Sequence, residues 1–370
     1  MDNGPRVPNP PPPDGPSETP PLDPADHDTS VRASSAPPAE SAPASPYAPL
    51  FESRTDLSGL ASTVDRLKAE VRKLLVGQAQ FLDELVAAVL AGGHVLIEGV
   101  PGVAKTLTAK LLARAVSADF ARLQFTPDLM PADVLGTTVF NPDTRAFDFH
   151  PGPVFGQLVL IDEINRAPAK TQAALFEVME ERQVTVDGTT YTMPQPFHVF
   201  ATQNPIEHEG TYRLPEAQLD RFLFKIEVGY PTREDEAQIL AGFQDQGGRL
   251  DLERVQPVLS AEEVLAAQAA VRALYVDPKL LGYIAAVVAQ TRTHPALALG
   301  ASPRASLALL TGAKAVAAMA GRDFVTPDDV RAVASPVLRH RLQLTAEREI
   351  EGVRMDTVVD RVVQSVEVPR

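Results

Sequence analysis

The sequence predicts an α/β fold with a parallel central sheet in a three-layer α/β/α arrangement, followed by a helical C-terminal domain. A run of β-branched and aliphatic residues at 95–97 leads through a Gly/Pro turn into a helix. Four continuous aliphatic residues at 158–161 indicate a strand covered on both faces, as in a parallel sheet. From 231 onward the pattern is helical, with too few strands for a second sheet.

Composition excludes several classes of function. The 370 residues suggest two or three domains. With 34 basic and 48 acidic residues, the formal net charge is −14, which disfavours unspecific binding to a nucleic-acid backbone. The absence of cysteine excludes disulfides, thiolate chemistry and cysteine-based zinc sites. No secretory signal and no stretch long enough to span a bilayer is readable, so we expect a soluble cytoplasmic protein.

Residues 1–52 are predicted to be a disordered tail. They hold nearly half of the 34 prolines and almost no large aliphatic residues. Such a segment buries too little apolar surface to offset the entropy of ordering it. A ligand for a proline-recognising module and a solvated tail are the two interpretations, and composition favours the tail.

Two helices precede the first strand of the predicted sheet. From Leu57 to Leu74 the apolar residues step by three and four, which is one face of an amphipathic helix. That helix ends at Val76-Gly77-Gln78, and a second helical stretch at 81–90 runs up to Gly92-Gly93.

A phosphate-binding loop is predicted at 99–107, between a strand and a helix. Gly99 and Gly102 let the backbone approach an anion, and the helix start presents N–H groups to it. Lys105 would reach the β- and γ-phosphates and Thr106 would bind Mg²⁺. Ala104 replaces the second glycine of the usual pattern, which predicts a right-handed backbone there. The nucleotide-binding residues predicted in this loop are Gly99, Val100, Pro101, Gly102, Val103, Ala104, Lys105, Thr106 and Leu107.

Polar residues follow two core strands, where doubly wound sheets bind ligands. Asp162 and Glu163 end the strand 157–163. Asp162 can hold Mg²⁺ through water and Glu163 can polarise an attacking water, although such a pair can also be a helix N-terminal charge. Asn204 follows the strand 197–202 and could orient that water, or it could be a turn residue before Pro205.

Two hairpins interrupt this α/β pattern. Strands at 137–140 and 146–149 flank the turn Asn141–Thr144, and strands around 184–186 and 191–193 flank Asp187-Gly188. A last core strand is predicted at 223–228, before the break at Gly229-Tyr230-Pro231.

The C-terminal part is predicted to contain four or five helices between 232 and 342. Ser260 to Glu263 is a capping-box sequence. Ser302-Pro303 begins a long alanine-rich helix, which puts Arg304 in its first turn. The end of the chain is less regular, and Val353–Val368 is expected to form a short strand or hairpin.

Taken together, these segments resemble an AAA+ ATPase of the MoxR family over about 57–342. The similarity is carried by six segments in order, namely 99–106, 127–133, 152–155, 162–168, 201–205 and 214–222. The resemblance implies a P-loop AAA+ domain at 53–230 and an α-helical lid domain at 231–370. Alanine at 104 is no departure from this family.

Residue roles follow from the resemblance alone. It implies that Lys105 and Thr106 are the Walker A residues, Asp162 and Glu163 the Walker B residues, and Asn204 sensor 1. Arg304 resembles the sensor 2 arginine, acting on ATP within its own subunit. Arg221 resembles an arginine finger offered to a neighbouring subunit, whereas the sequence alone reads it as an ion-pair partner of Asp220. Val76, Gly77 and Gln78 lie where such ATPases contact adenine, and both hairpins would face a ring pore.

The resemblance implies an Mg²⁺- and ATP-dependent chaperone, assembled as a ring, with six subunits expected. Its partners would be client proteins, often with von Willebrand factor A domains, which it remodels or matures. A nucleic-acid motor and a motor subunit of the magnesium-chelatase type are the alternatives within the same clade. The net charge and the scarcity of basic residues in the hairpins argue against the nucleic-acid motor.

Overall fold

The computed structural model describes residues 57–204, 212, 214–245 and 247–369. The tail predicted at 1–52 lies outside the described residues. The strands are β1 Val95–Gly99, β2 Phe120–Gln124, β3 Gly136–Asn141, β4 Ala146–Pro151, β5 Leu158–Asp162, β6 Gln183–Val186, β7 Thr189–Thr192, β8 His198–Gln203, β9 Phe224–Val228, β10 Leu297–Leu299 and β11 Gln343–Leu344.

The helices are interspersed with these strands up to β9 and dominate after it. They are α1 Ser58–Arg72, α2 Ala79–Ala91, α3 Lys105–Ala115, α4 Pro131–Leu135, α5 Ala169–Glu181, α6 Glu216–Leu219, α7 Arg233–Asp245, α8 Ala261–Ala273, α9 Pro278–Thr291, α10 Pro303–Met319, α11 Pro327–Leu338, α12 Ala346–Ile350 and α13 Met355–Ser365. Short 3-10 helices occupy Pro153–Phe155, Ile164–Arg166 and Leu252–Arg254.

The central sheet contains, among the described residues, five parallel strands in the order β2-β5-β8-β1-β9. All five strands therefore end at one edge, here called the carboxyl edge, and begin at the other, the amino edge. Val95 at the start of β1 is level with Phe200 of β8 and Phe224 of β9. The parallel sheet predicted from the continuous apolar runs is confirmed.

Apolar side chains alternate between the two faces of the sheet. In β5, Leu158 and Leu160 join a cluster with α1, α2, α3 and the C-terminal helices, whereas Val159 and Ile161 join a cluster with α5. Because β1 divides its side chains in the same way, the sheet is covered on both faces. The three-layer α/β/α core is confirmed.

The part after β9 is helical. Five helices, α7 to α11, lie in the described residues between 232 and 342, accompanied by the small β10–β11 pair. The capping box predicted at Ser260 is present, because its hydroxyl accepts the Glu263 N–H and the Glu263 carboxylate accepts the Ser260 N–H. None of the described helices is long and apolar enough to cross a membrane.

The strand or hairpin expected at 353–368 is wrong, because most of this segment forms α13. Valine favours strands, but Val358, Val359, Val362 and Val363 are spaced so that one helical face carries all of them, and all are buried. This face packs against α11 and α9. Tertiary burial therefore overrides the local preference of the valines.

Candidate functional site

The phosphate-binding loop joins β1 to α3 at the carboxyl edge. Gly99 ends β1 where a Cβ would lie 2.6 Å from the carbonyl oxygen of Val228, so packing against β9 already requires glycine. Gly102 has φ of +86° and faces open space. The segment Val100–Ala104 curves between these elements, and Leu107 lies in the first turn of α3. The strand–loop–helix context predicted for anion binding is present.

The backbone at Ala104 differs from the prediction. Its φ is 60°, which is left-handed rather than right-handed. The residue is the N-cap of α3, and its carbonyl oxygen already accepts the N–H of Thr108. The loop must turn sharply into the helix at this position, so the geometry that usually calls for glycine is adopted by alanine.

Lys105 and Thr106 open α3 and face the ends of the central strands. The Lys105 ammonium donates to the carbonyl oxygen of Gly99. Oγ1 of Thr106 lies 3.4 Å from Oδ1 of Asp162, which is buried at the end of β5. Hydroxyl and carboxylate oxygens are the ligands that Mg²⁺ prefers, so this pair fits the metal that the sequence predicts.

The acidic pair after β5 is held by side chains from its neighbours in the sheet. Asp162 accepts a hydrogen bond from Arg122 of β2 (Nε to Oδ2, 2.7 Å) and another from Thr202 of β8 (Oγ1 to Oδ1, 3.3 Å). Glu163 has a left-handed φ of 58° and its N–H donates to Oγ1 of Thr202. Oε2 of Glu163 accepts from Gln124, at 2.9 Å, and pairs with Arg166 at 2.8 Å.

Four of these partners were missed by the reading of the sequence, namely Arg122, Gln124, Arg166 and Thr202. The sequence does contain a pattern that points to two of them. Arg122 and Gln124 alternate with Leu123 along β2, so they share the face of the sheet opposite to that buried leucine. Predicting their targets requires the order of the strands, because β2 and β5 are separated in sequence.

Asn204 is buried immediately after β8, at the same edge as Asp162 and Glu163. The sheet therefore brings the residues predicted as Walker A, Walker B and sensor 1 to one edge. Residues 205–211, which follow Asn204, lie outside the described part of the chain.

The segment Val76–Gln78 contacts the connection that follows β9. Gly77 and Gln78 have left-handed φ values of 66° and 53°. A Cβ on Gly77 would lie 2.8 Å from the Asp235 carboxyl group, and the Gln78 side chain donates to the carbonyl oxygen of Gly229 at 3.0 Å. This segment is therefore joined to the carboxyl end of β9 and to the first turn of α7.

The two arginines lie at the amino edge. Arg221 precedes β9 by three residues, donates to the Phe176 carbonyl and lies 3.3 Å from Oε2 of Glu180. Arg304, in the first turn of α10, lies 3.0 Å from Oε1 of that same Glu180. Glu180 is in the last turn of α5, next to Met179, whose carbonyl is bonded to His94 ahead of β1.

This placement separates Arg304 from the phosphate-binding loop of its own chain. The two edges lie a strand length apart, about 16 Å for five residues. Asp220 is also not the partner of Arg221, since its carboxylate binds Arg341 at 2.7 Å and Ser302 at 2.9 Å. Burial lowers the pKa of Arg341, and the hydrogen bond that Arg341 donates to the Asp220 carboxylate opposes this shift. The Asp220 contacts therefore connect the α/β core to the C-terminal helical part.

Comparisons with known proteins agree with this geometry. Residues 94–224 match the ATPase family associated with various cellular activities (AAA), and residues 289–362 match an AAA lid domain. The chain is 45% identical to Chaperone MoxR1 of Mycobacterium tuberculosis (strain ATCC 25618 / H37Rv) over 324 residues, which is 84% of this chain and 85% of that one.

A second relative, YeaC of Bacillus subtilis (strain 168), is 46% identical over 299 residues, covering 81% of this chain and 92% of that one. A crystal structure of a Cytophaga hutchinsonii ATCC 33406 protein assigned as an ATPase superposes with a TM-score of 0.79. It is 38% identical and covers 85% of this chain and 97% of that one. With its phosphate-binding loop, its acidic strand end and its helical lid, the chain belongs to the MoxR family of AAA+ ATPases.

Proposed function

We propose that this MoxR-family ATPase hydrolyses Mg-ATP at the interfaces between subunits of a ring, with six subunits. We further propose that hydrolysis drives the remodelling or maturation of client proteins, including proteins with von Willebrand factor A domains. In this proposal 53–230 is the nucleotide-binding domain and 231–370 the lid. The name of the mycobacterial relative, Chaperone MoxR1, supports the chaperone role.

One observation carries the proposal: Arg221 and Arg304 share Glu180 at the amino edge, away from the phosphate-binding loop of their own chain. Arginines that stabilise charge on a transferred phosphoryl group must reach that group. If copies associate head to tail, the amino edge of one chain faces the carboxyl edge of the next. Both arginines would then serve the neighbouring nucleotide, which replaces the same-subunit role expected for Arg304.

The residues at the carboxyl edge would have separate roles in binding and hydrolysing the nucleotide. Lys105 and the N–H groups at the start of α3 would bind the phosphates. Thr106 and Asp162 would hold Mg²⁺, which neutralises phosphate charge when bound. Glu163 would take a proton from the attacking water, with Asn204 orienting that water. Val76–Gln78 would contact the adenine.

The two hairpins support a protein client rather than a nucleic acid. Phe140 and Phe147, on β3 and β4, are both exposed, and their rings meet edge to face at 5.3 Å. The connecting turn, 142–145, carries one acidic and one basic residue, and the turn at 187–188 adds another carboxylate. An apolar tip without excess positive charge suits apolar side chains of an unfolded or extended polypeptide better than phosphates.

Mixing two inactive variants tests the shared site. Arg221→Ala removes the proposed finger and Glu163→Gln removes the proposed base, so each variant alone should lose most ATPase activity, about 10³-fold or more for the finger. In mixed rings, an Arg221→Ala subunit can receive the finger of a Glu163→Gln neighbour. About a quarter of sites are then complete for random head-to-tail mixing.

Activity that returns on mixing and disappears on dilution is the expected result. A mixture that stays as inactive as its components would contradict a site shared between subunits. Wild-type activity per chain that does not depend on concentration would contradict it as well. For the client, severalfold stimulation by DNA but not by any von Willebrand factor A domain would favour the nucleic-acid motor.

A further inference from the structure

Helix α7, Arg233–Asp245, carries an apolar face that the described residues of the chain leave uncovered. None of its residues, all of them described, is buried. Leu240 is 70% exposed, Phe243 53% and Ile239 43%. Phe243 follows Ile239 by four positions and Leu240 by three, so it lies beside both on one side of the helix, and the three side chains form a continuous stripe. We call this stripe the α7 face.

An isolated helix of this length is marginal in water, and contiguous exposed apolar surface marks an interaction site. The contacts that anchor α7 lie in its first turn. There Asp235 accepts hydrogen bonds from Thr232 and packs against Gly77. The second half of the helix, which carries the α7 face, has no buried residue, so a partner surface would stabilise it.

The position of α7 indicates what that partner is. The helix begins five residues after the end of β9, at the carboxyl edge, beside the Val76–Gln78 segment. It therefore flanks the proposed nucleotide site. In a head-to-tail ring, the surface that approaches this edge is the amino edge of the next copy.

Charge distribution agrees with that pairing. The first turn of α7 carries three carboxylates, on Glu234, Asp235 and Glu236. At the amino edge, Arg221 and Arg304 share one carboxylate, that of Glu180, which leaves positive charge uncompensated within this group. Opposite charges on the two edges favour association in this orientation and disfavour the reverse one.

We propose that the α7 face is the docking surface for the next copy of this chain in the ring. The neighbour covers Ile239, Leu240 and Phe243, and its arginines approach the nucleotide beside them. Since the first turn of α7 contacts Gly77, the same helix touches both the adenine segment and the neighbouring subunit. The inference rests on the ring of the proposed function.

Because the chain has no cysteine, a single introduced thiol can be labelled specifically. Gln244→Cys places an environment-sensitive dye beside Leu240 on the α7 face. Glu351→Cys places it next to Ile350, which is 88% exposed on α12, as the matched control. Assembly of the full-length chain with ATPγS should shift the emission of the first dye to the blue and leave the second unchanged.

A second measurement uses the variants Leu240→Asp/Phe243→Asp and, as control, Ile350→Asp. The double variant should weaken assembly at least about tenfold by mass photometry, since charge replaces two buried apolar side chains. Its affinity for nucleotide as a dilute monomer should match that of the wild type, which also shows that it folds. Ile350→Asp should assemble normally.

The outcomes separate the two proposals. A wild-type chain that remains monomeric with ATPγS contradicts the ring and, with it, the docking surface. A wild-type ring in which the Gln244→Cys label stays solvated, or in which the double variant assembles normally, overturns the docking surface alone. A blue shift that occurs in dilute monomers on nucleotide binding also overturns it, because α7 would then fold onto its own nucleotide.

Discussion

Arg122 and Asp162 form the ion pair at the centre of the site. The Asp162 side chain is 10% exposed and that of Arg122 is 48% exposed. A nearly buried carboxylate needs a cation or several hydrogen bonds. Here the guanidinium supplies the cation and one hydrogen bond, and the Thr202 hydroxyl donates another. Mg²⁺ would bring a second source of positive charge to this carboxylate. Stability and metal binding should therefore be linked through Arg122.

Arg122→Gln tests that link at the scale of one residue. Without the guanidinium, the Asp162 carboxylate loses a charged hydrogen bond, and the free energy of unfolding of the nucleotide-free protein should fall by about 1–3 kcal/mol. Urea unfolding with and without Mg-ADP measures this difference. The loss should shrink when Mg-ADP is bound, and Arg122→Lys should retain most of the stability. An equal loss in both conditions would mean that Arg122 is only structural.

At the scale of elements, the two hairpins contact each other. Phe149 of β4 stacks on Tyr191 of β7 with ring centroids 4.2 Å apart, and its ring also meets Phe155 at 5.8 Å. Thr138 of β3 donates a hydrogen bond to Asp187 in the other hairpin turn. Along the chain, β6 follows α5, which itself begins soon after the acidic pair.

A double-mutant cycle between Phe149→Ala and Tyr191→Ala measures this connection. The stacked rings should give a coupling energy of about 0.5–1.5 kcal/mol in the free energy of unfolding. The matched cycle uses Phe147→Ala, on the same strand but paired with Phe140, and should give a coupling near zero with Tyr191→Ala. Additive effects in the Phe149 cycle would show that the hairpins are independent.

At the scale of the whole molecule, buried histidines join the sheet to the helical part. His94 accepts the Val199 N–H, and His198 is bonded to Gly93 and to Gln268 of α8. Burial lowers the pKa of His94 to about 3 and that of His198 to about 4. Burial likewise holds the pKa of His340, which is bonded to Phe222, well below its usual value.

These shifts predict a loss of stability in mild acid. The unfolded chain binds protons at these histidines as the pH falls below 6.5, whereas the folded chain keeps them neutral. Proton binding therefore stabilises the unfolded state relative to the folded state. The stabilisation is complete above pH 6.5 and decreases toward the folded pKa values. Each histidine contributes a slope of up to about 1.4 kcal/mol per pH unit.

Urea unfolding between pH 6.5 and about 5 measures the slope. His198→Gln should lower the slope of the unfolding free energy against pH by the contribution of one histidine. This holds whatever the substitution does to stability at neutral pH. Equal slopes in the wild type and in His198→Gln would contradict the assignment of a depressed pKa to His198.

Local pattern was sufficient for most elements of this protein. The helices at 58–72 and 79–91, the core strands β1, β5, β8 and β9 and both hairpins follow from apolar spacing and turn residues. The phosphate-binding loop and the acidic strand end could also be predicted from the sequence, because their chemistry depends on residues adjacent in sequence. Their common edge follows from a parallel sheet, in which every strand ends on the same side.

By itself, then, the sequence determined the strands, the loop and the family of this protein, since short-range spacing encodes all three. Only the tertiary structure decided that residues 353–368 contain a helix, that Ala104 is left-handed and that Arg122 and Gln124 hold the acidic pair. It also decided the position of Arg304, 124 residues from its partner Glu180. Such contacts depend on strand order and on packing between distant segments, which no local pattern specifies.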